Sequence, residues 1–139
     1  MSDIFISYKS SDRERVRVLV EALEGRGWSV WWDREIPPGK TFDQVIEEEL
    51  NAARCVIVVW SKDSVLSEWV KTEASEAARR GIFVPVLIDD VKIPLEFRRI
   101  QAAWLVDWQG KLPHPGFEQL SEAVAGILGP STILKEEQD

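Results

Sequence analysis

Apolar and polar residues along the chain fall into short runs of two different periods. Residues 3–8 (DIFISY), 28–33 (WSVWWD), 55–60 (CVIVVW), 82–88 (IFVPVLI) and 103–108 (AWLVDW) are rich in β-branched and aromatic residues and predict strands. The run 55–60 is apolar without interruption, the pattern of a strand covered on both faces. Helical spacing appears between these runs. In residues 11–27, Val16, Leu19, Val20 and Leu23 share a face, with Ser11 or Asp12 as the N-cap and Gly25 or Gly27 near the stop. Residues 43–54 form a second helical segment with Val45, Ile46, Leu50 and Ala53 on one side. Residues 67–81 (SEWVKTEASEAARRG) form a third, whose apolar arc is Val70, Ala74, Ala77 and Ala78, and 117–128 form the last. Pro37, Pro38 and Gly39 mark the stretch from Arg34 to Phe42 as a loop. Residues 1–129 read as one domain, and 130–139 as a tail or the start of a linker.

Strand and helix alternate strictly, which implies right-handed crossovers and a parallel sheet. The expected fold is α/β: a flavodoxin-like sheet of five parallel strands with helices on both faces. Ligands in such sheets sit beyond the carboxyl ends of the strands, where the strand order switches. The third helix begins just after one of those ends. It carries Trp69 and Glu73 four residues apart, on one side of the helix and at the border of its apolar arc. A carboxylate beside a tryptophan at the rim of a core, in the place the topology reserves for a pocket, is the feature that asks for a chemical explanation.

Composition narrows the chemistry. The 139 residues, 45% hydrophobic and 29% charged, form an ordinary globular mix large enough for a core without staples. A net charge of −7 argues against a nucleic-acid partner and against an anionic membrane surface. The single cysteine, Cys55, excludes an internal disulfide and a cysteine-rich metal site, and reads as a small buried hydrophobe. No apolar stretch approaches the ~20 residues of a membrane span, and Met1 leads almost directly into a strand without a signal peptide, so a cytoplasmic setting is expected. Gly39-Lys40-Thr41 lacks the upstream glycine of a phosphate-binding loop, that position being Arg34. No GxGxxG follows a strand, no metal-ligand spacing is present, and His114, between prolines, reads as a solvent-exposed loop residue. Trp28, Trp31 and Trp32 read as strand packing.

Three stretches resemble the Toll/interleukin receptor (TIR) domain over residues 2–128. DIFISYKSSD resembles its first box, GWSVWWDREIPPGKTF its second strand and following loop, and SEWVKTEASEA the Trp-x-x-x-Glu helix of members that cleave NAD+. The chain resembles bacterial members more than animal receptors. The resemblance implies that Glu73 acts on the ribose bearing nicotinamide and that Trp69 stacks on a base or on nicotinamide. Tyr8, Lys9 and Asp33 match positions that contact substrate in relatives, Lys9 toward the diphosphate and Asp33 toward a ribose. Pro38, Gly39, Lys40 and Phe42 match a loop that meets a neighbouring subunit.

The function so implied is NAD+ nucleosidase activity, by hydrolysis or cyclisation, in bacterial immune signalling, antiphage defence or virulence. NAD+ is then a substrate and no cofactor or metal is needed. The partners are NAD+, further copies of the domain and a fused or separate sensor domain. A different class stays open beside it: a non-catalytic module that joins TIR domains through the Pro38-Gly39 loop.

Overall fold

The computed structural model describes residues 2–129, so the tail expected at 130–139 lies outside the described residues. Strands β1 (Ile4–Ser7), β2 (Val30–Trp31), β3 (Cys55–Trp60), β4 (Phe83–Leu87) and β5 (Ala103–Trp104) pair in parallel in the order β2-β1-β3-β4-β5. Helices α1 (Arg13–Gly25), α2 (Phe42–Ala52), α3 (Glu68–Arg79) and α4 (Pro115–Leu128) connect and cover them. This is the flavodoxin-like arrangement that the alternation predicts. Successive strand side chains point to opposite faces, which sorts the apolar residues into two layers. Ile4, Ile6, Ile57 and Val59 pack under α1 and α4, against Leu19, Leu23, Phe117 and Leu120. Phe5, Val56, Val58 and Trp60 pack under α2 and α3, against Ile46, Val70, Ala74 and Ala77. Cys55 is fully buried in the first layer, and burial pushes its thiol up to about 12.

The outer strands are shorter than their apolar runs. β2 stops at Trp31 because the next carbonyl, that of Trp32, accepts the Tyr8 hydroxyl at 2.8 Å. After β5 the Leu105 amide still donates to Leu87 O at 2.8 Å, but Asp107 adopts φ 70° and turns the chain away. Helix starts also differ from expectation. Asp12 stands at the N-cap of α1 without capping it, because its carboxylate accepts from Ser61 Oγ and from Arg15 at 3.0 Å. α2 begins at Phe42 because Thr41 and Gln44 form a capping box. His114 is not an exposed loop residue: it is half-buried as the N-cap of α4, where Nδ1 accepts the Phe117 amide at 3.3 Å.

Close approach fixes the start of α4. A Cβ on Gly116 would lie 1.9 Å from the carbonyl oxygen of Trp104, a backbone atom that cannot rotate away. Gly116→Ala is therefore expected to separate α4 from β5 and to lower the unfolding free energy by about 2 kcal/mol or more. Denaturant titration of the two proteins side by side measures this, and an unchanged midpoint would show that the helix end yields freely.

Candidate active site

The α3 sequence places a carboxylate inside its own apolar stripe. Val70, Ala74 and Ala77 turn toward the sheet, and Glu73, three residues after Val70, is buried with them. Ala78, expected in the arc, is exposed instead. Glu73 is 3% exposed, so it lies within the core face and not at its rim, while Trp69 on the outer side is 43% exposed. Small alanines let the helix approach β1 closely. Ser7 is directed to that same side of β1, because it shares the alternation of Phe5. Its Oγ donates to Glu73 Oε1 at 2.6 Å.

The charge of Glu73 is met from the loop after β2. Arg34 Nη1 donates to Glu73 Oε2 at 3.2 Å and Nη2 to Oε1 at 3.4 Å. Nη2 also donates to the Ile6 carbonyl at 2.9 Å. The guanidinium lies 5.1 Å from the Phe5 ring, 5.1 Å from Trp31 and 5.4 Å from Tyr8. A weakly hydrated, planar cation suits this aromatic enclosure, where an ammonium would lose more hydration.

Above the pair opens a cavity of about 370 Å³. Tyr8, Lys9 and Ser10 line it from the end of β1, Arg34 and Phe42 from the two ends of the loop, and Ser67 and Trp69 from the start of α3. It lies at the carboxyl end of β1, beside β3, where the strand order reverses. The lining contains two cations and no carboxylate, on a chain of net charge −7. The amino ends of α2 and α3 also meet here and add positive partial charge. The Trp69 and Phe42 rings stand 5.8 Å apart and wall one side. Chemically, the arrangement suits an anion that carries flat rings.

The structure brings Tyr8, Lys9, Trp69 and Phe42 to this cavity, with Glu73 directly behind Arg34. Tyr8 is buried and its hydroxyl is committed to Trp32 O. Asp33 is not among the lining residues; it is exposed and pairs with Arg13 at 3.4 Å. Pro38, Gly39 and Lys40 form the exposed loop tip, where Gly39 adopts φ +88° and Lys40 pairs with Glu48 at 3.2 Å. Two residues of the site were not singled out in the sequence, Ser7 and Arg34. A hydroxyl at the end of an otherwise apolar strand was the available signal for Ser7. Arg34 had none, because a loop arginine looks the same whether it faces water or a buried acid.

A larger cavity of about 430 Å³ lies on the other side of the sheet, lined in part by Arg15, Asp89 and Trp108. Its one cation is already matched. Arg15 donates to Asp89 at 2.8 and 3.0 Å, and this bond holds the Asp89 carboxyl at about 2. The smaller cavity, with an acid at its floor, is the candidate active site.

Residues 4–121 match a family model described as TIR domain. The chain is 35% identical over 80 residues to the 2' cyclic ADP-D-ribose synthase BtTIR of Bacteroides thetaiotaomicron, covering 56% of this chain and 28% of that protein. It is 34% identical over 91 residues to the NAD(+) hydrolase TcpA of Theionarchaea archaeon (strain DG-70-1), covering 60% of this chain and 28% of that one. Among solved structures, a metazoan TIR-STING receptor from C. gigas in complex with 2',3'-cGAMP aligns with TM-score 0.71 and 26% identity, covering 89% of this chain and 39% of that one. The chain thus spans about a quarter of the length of the named enzymes it matches.

Ser7 supplies one of the few hydrogen bonds to a buried carboxylate. Ser7→Ala is expected to cost about 1–3 kcal/mol, the range for leaving a buried acceptor short of a partner. Chemical denaturation monitored by tryptophan fluorescence measures it. A loss below 0.5 kcal/mol, on the order of a surface substitution, would mean that Arg34 alone satisfies Glu73.

Proposed function

The chain belongs to the TIR domain family, and from that premise we propose that it cleaves the bond between nicotinamide and ribose in NAD+, with Glu73 as the reacting carboxylate. One observation carries the reading: Glu73 is a buried carboxylate paired with Arg34, directly behind a cavity lined by cations, aromatic rings and hydroxyls. Relatives named as an NAD(+) hydrolase and as a 2' cyclic ADP-D-ribose synthase support it.

The chemistry follows from charge. The bond between the ribose carbon and the nicotinamide nitrogen breaks, and its electron pair goes to the ring, which leaves neutral. No strong general acid is needed. Positive charge builds on the ribose, as in glycoside cleavage, and a carboxylate close to it stabilises that charge and accepts from a ribose hydroxyl. Water, or a hydroxyl or adenine nitrogen of the same substrate, then bonds to the ribose carbon. An attacking water or hydroxyl gives its proton to solvent. Trp69 offers a flat face for a ring. Lys9 meets the diphosphate, helped by the amino ends of α2 and α3.

A second reading, a module that joins domains without cleaving anything, has its own observation. The exposed loop tip at Pro38, Gly39 and Lys40 lies next to exposed Phe42, an edge suited to a second copy. The two readings combine if a neighbouring copy completes the site through this loop.

Incubation with NAD+ and detection of free nicotinamide separates the readings. Glu73→Gln is expected to abolish release while keeping a folded circular-dichroism spectrum, at a stability cost of about 1–3 kcal/mol for the altered buried bonds. Trp69→Ala, at an exposed ring, is expected to raise KM by roughly 5- to 150-fold, corresponding to about 1–3 kcal/mol of stacking. Full activity in Glu73→Gln would reject the assignment.

Specific activity is also expected to fall on hundredfold dilution, and Gly39→Pro to abolish it, since proline cannot adopt φ +88°. Constant specific activity together with an active Gly39→Pro variant would establish a self-contained monomeric enzyme.

A further inference from the structure

A carboxylate that stabilises a cation on ribose must touch the ribose and must keep its charge. In this structure Glu73 is not free to do so. Both oxygens are taken, Oε1 by Ser7 and Arg34 and Oε2 by Arg34. Its side chain is 3% exposed, and the cavity is lined by Arg34 while Glu73 is not among the lining residues. The guanidinium therefore stands between the acid and the space a substrate would fill, and it neutralises the charge the reaction would draw on.

We propose that Arg34 is a gate: it holds Glu73 in a closed state that excludes the ribose, and the site becomes competent only when this side chain withdraws. The proposal rests on the reading of Glu73 as the reacting carboxylate. Arg34 is well placed for both states. It stands at the root of the loop 34–41, immediately after an exposed residue, and its own side chain is 15% exposed at the cavity surface. Two of its anchors stay with the scaffold when it leaves, the Ile6 carbonyl and the face of Phe5. Ser7 remains bonded to Glu73 and keeps the carboxylate aimed along β1. Apparent affinity is the intrinsic affinity multiplied by the open fraction, so a closed resting state weakens every ligand of the cavity.

The test compares wild type with Arg34→Gln and Arg34→Lys. Lysine keeps a charge but cannot span both carboxylate oxygens. Two readouts are taken on folded protein: nicotinamide release from NAD+, and ADP-ribose binding by calorimetry, which needs no turnover. The gate predicts at least a tenfold faster release and a tenfold tighter ADP-ribose affinity for Arg34→Gln, with Arg34→Lys between it and wild type. Should Arg34→Gln not fold, the lysine variant decides by the same signs. Release and affinity equal to or below wild type in the folded variants would overturn the gate and make Arg34 a positioning or substrate-binding residue. Retained activity in Glu73→Gln would instead remove the underlying assignment, an outcome separate from the affinity measurement.

Discussion

The contact between Glu73 and Arg34 holds together the edge of the sheet on which the candidate site is built. A carboxylate placed inside the helix–sheet interface loses its water, a cost of several kcal/mol unless it is paired and hydrogen-bonded. The pairing fixes three elements relative to one another. α3 must present Glu73 over β1, β1 must end with Ser7 beneath it, and the chain leaving β2 must return Arg34 to the same point. Arg34 in turn needs the Ile6 carbonyl and the rings of Phe5, Trp31 and Tyr8 to replace its own hydration. Such a pair is seldom the most stabilising choice, since apolar residues of similar volume commonly do as well. Its presence in a core face therefore calls for a chemical reason.

That reason lies in where the pair sits. Parallel strands put all their carboxyl ends on one edge, and the reversal between β1 and β3 leaves a gap there that neither neighbouring crossover fills. Two helices begin at the gap, with Thr41 and Ser67 capping them, and their amino ends lend it a positive potential. Lys9 and Arg34 strengthen it, against the negative charge of the whole chain. The same edge carries a second polar group on the opposite side of the sheet, where Asp12, Ser61, Arg15 and Asp89 bind one another. That group is closed on itself and ties α1 to β3 and β4, whereas the first opens onto an aromatic-walled space.

Much of this was legible in the residues alone. Alternating apolar runs determined the number, order and type of the elements, and β3 coincides with its apolar run at both ends. The continuous run CVIVVW announced a strand covered on both faces, and strict alternation announced a parallel sheet. The Trp-x-x-x-Glu helix and its place after β3 pointed to the cavity that Trp69, Tyr8 and Lys9 line. These features were readable because each depends on local periodicity or on chain order, and both are properties of the sequence itself.

Tertiary structure decided the remainder. Helical periodicity placed Glu73 beside the apolar arc, but only the approach of α3 to β1 determined that it is buried and that Ala78 is not. The outer strands ended early because a side-chain hydroxyl at Tyr8 and a left-handed Asp107 interrupted them, neither of which alters the hydrophobic pattern. His114 became a helix cap and Asp33 the partner of Arg13 through contacts local to the folded surface. The partnership of Arg34 with Glu73 spans 39 residues of sequence. An arginine in a loop carries no periodic signal, and its partner is chosen by which strand ends the sheet brings together. The sequence by itself therefore determined the scaffold and the acid, while the fold alone determined what covers that acid.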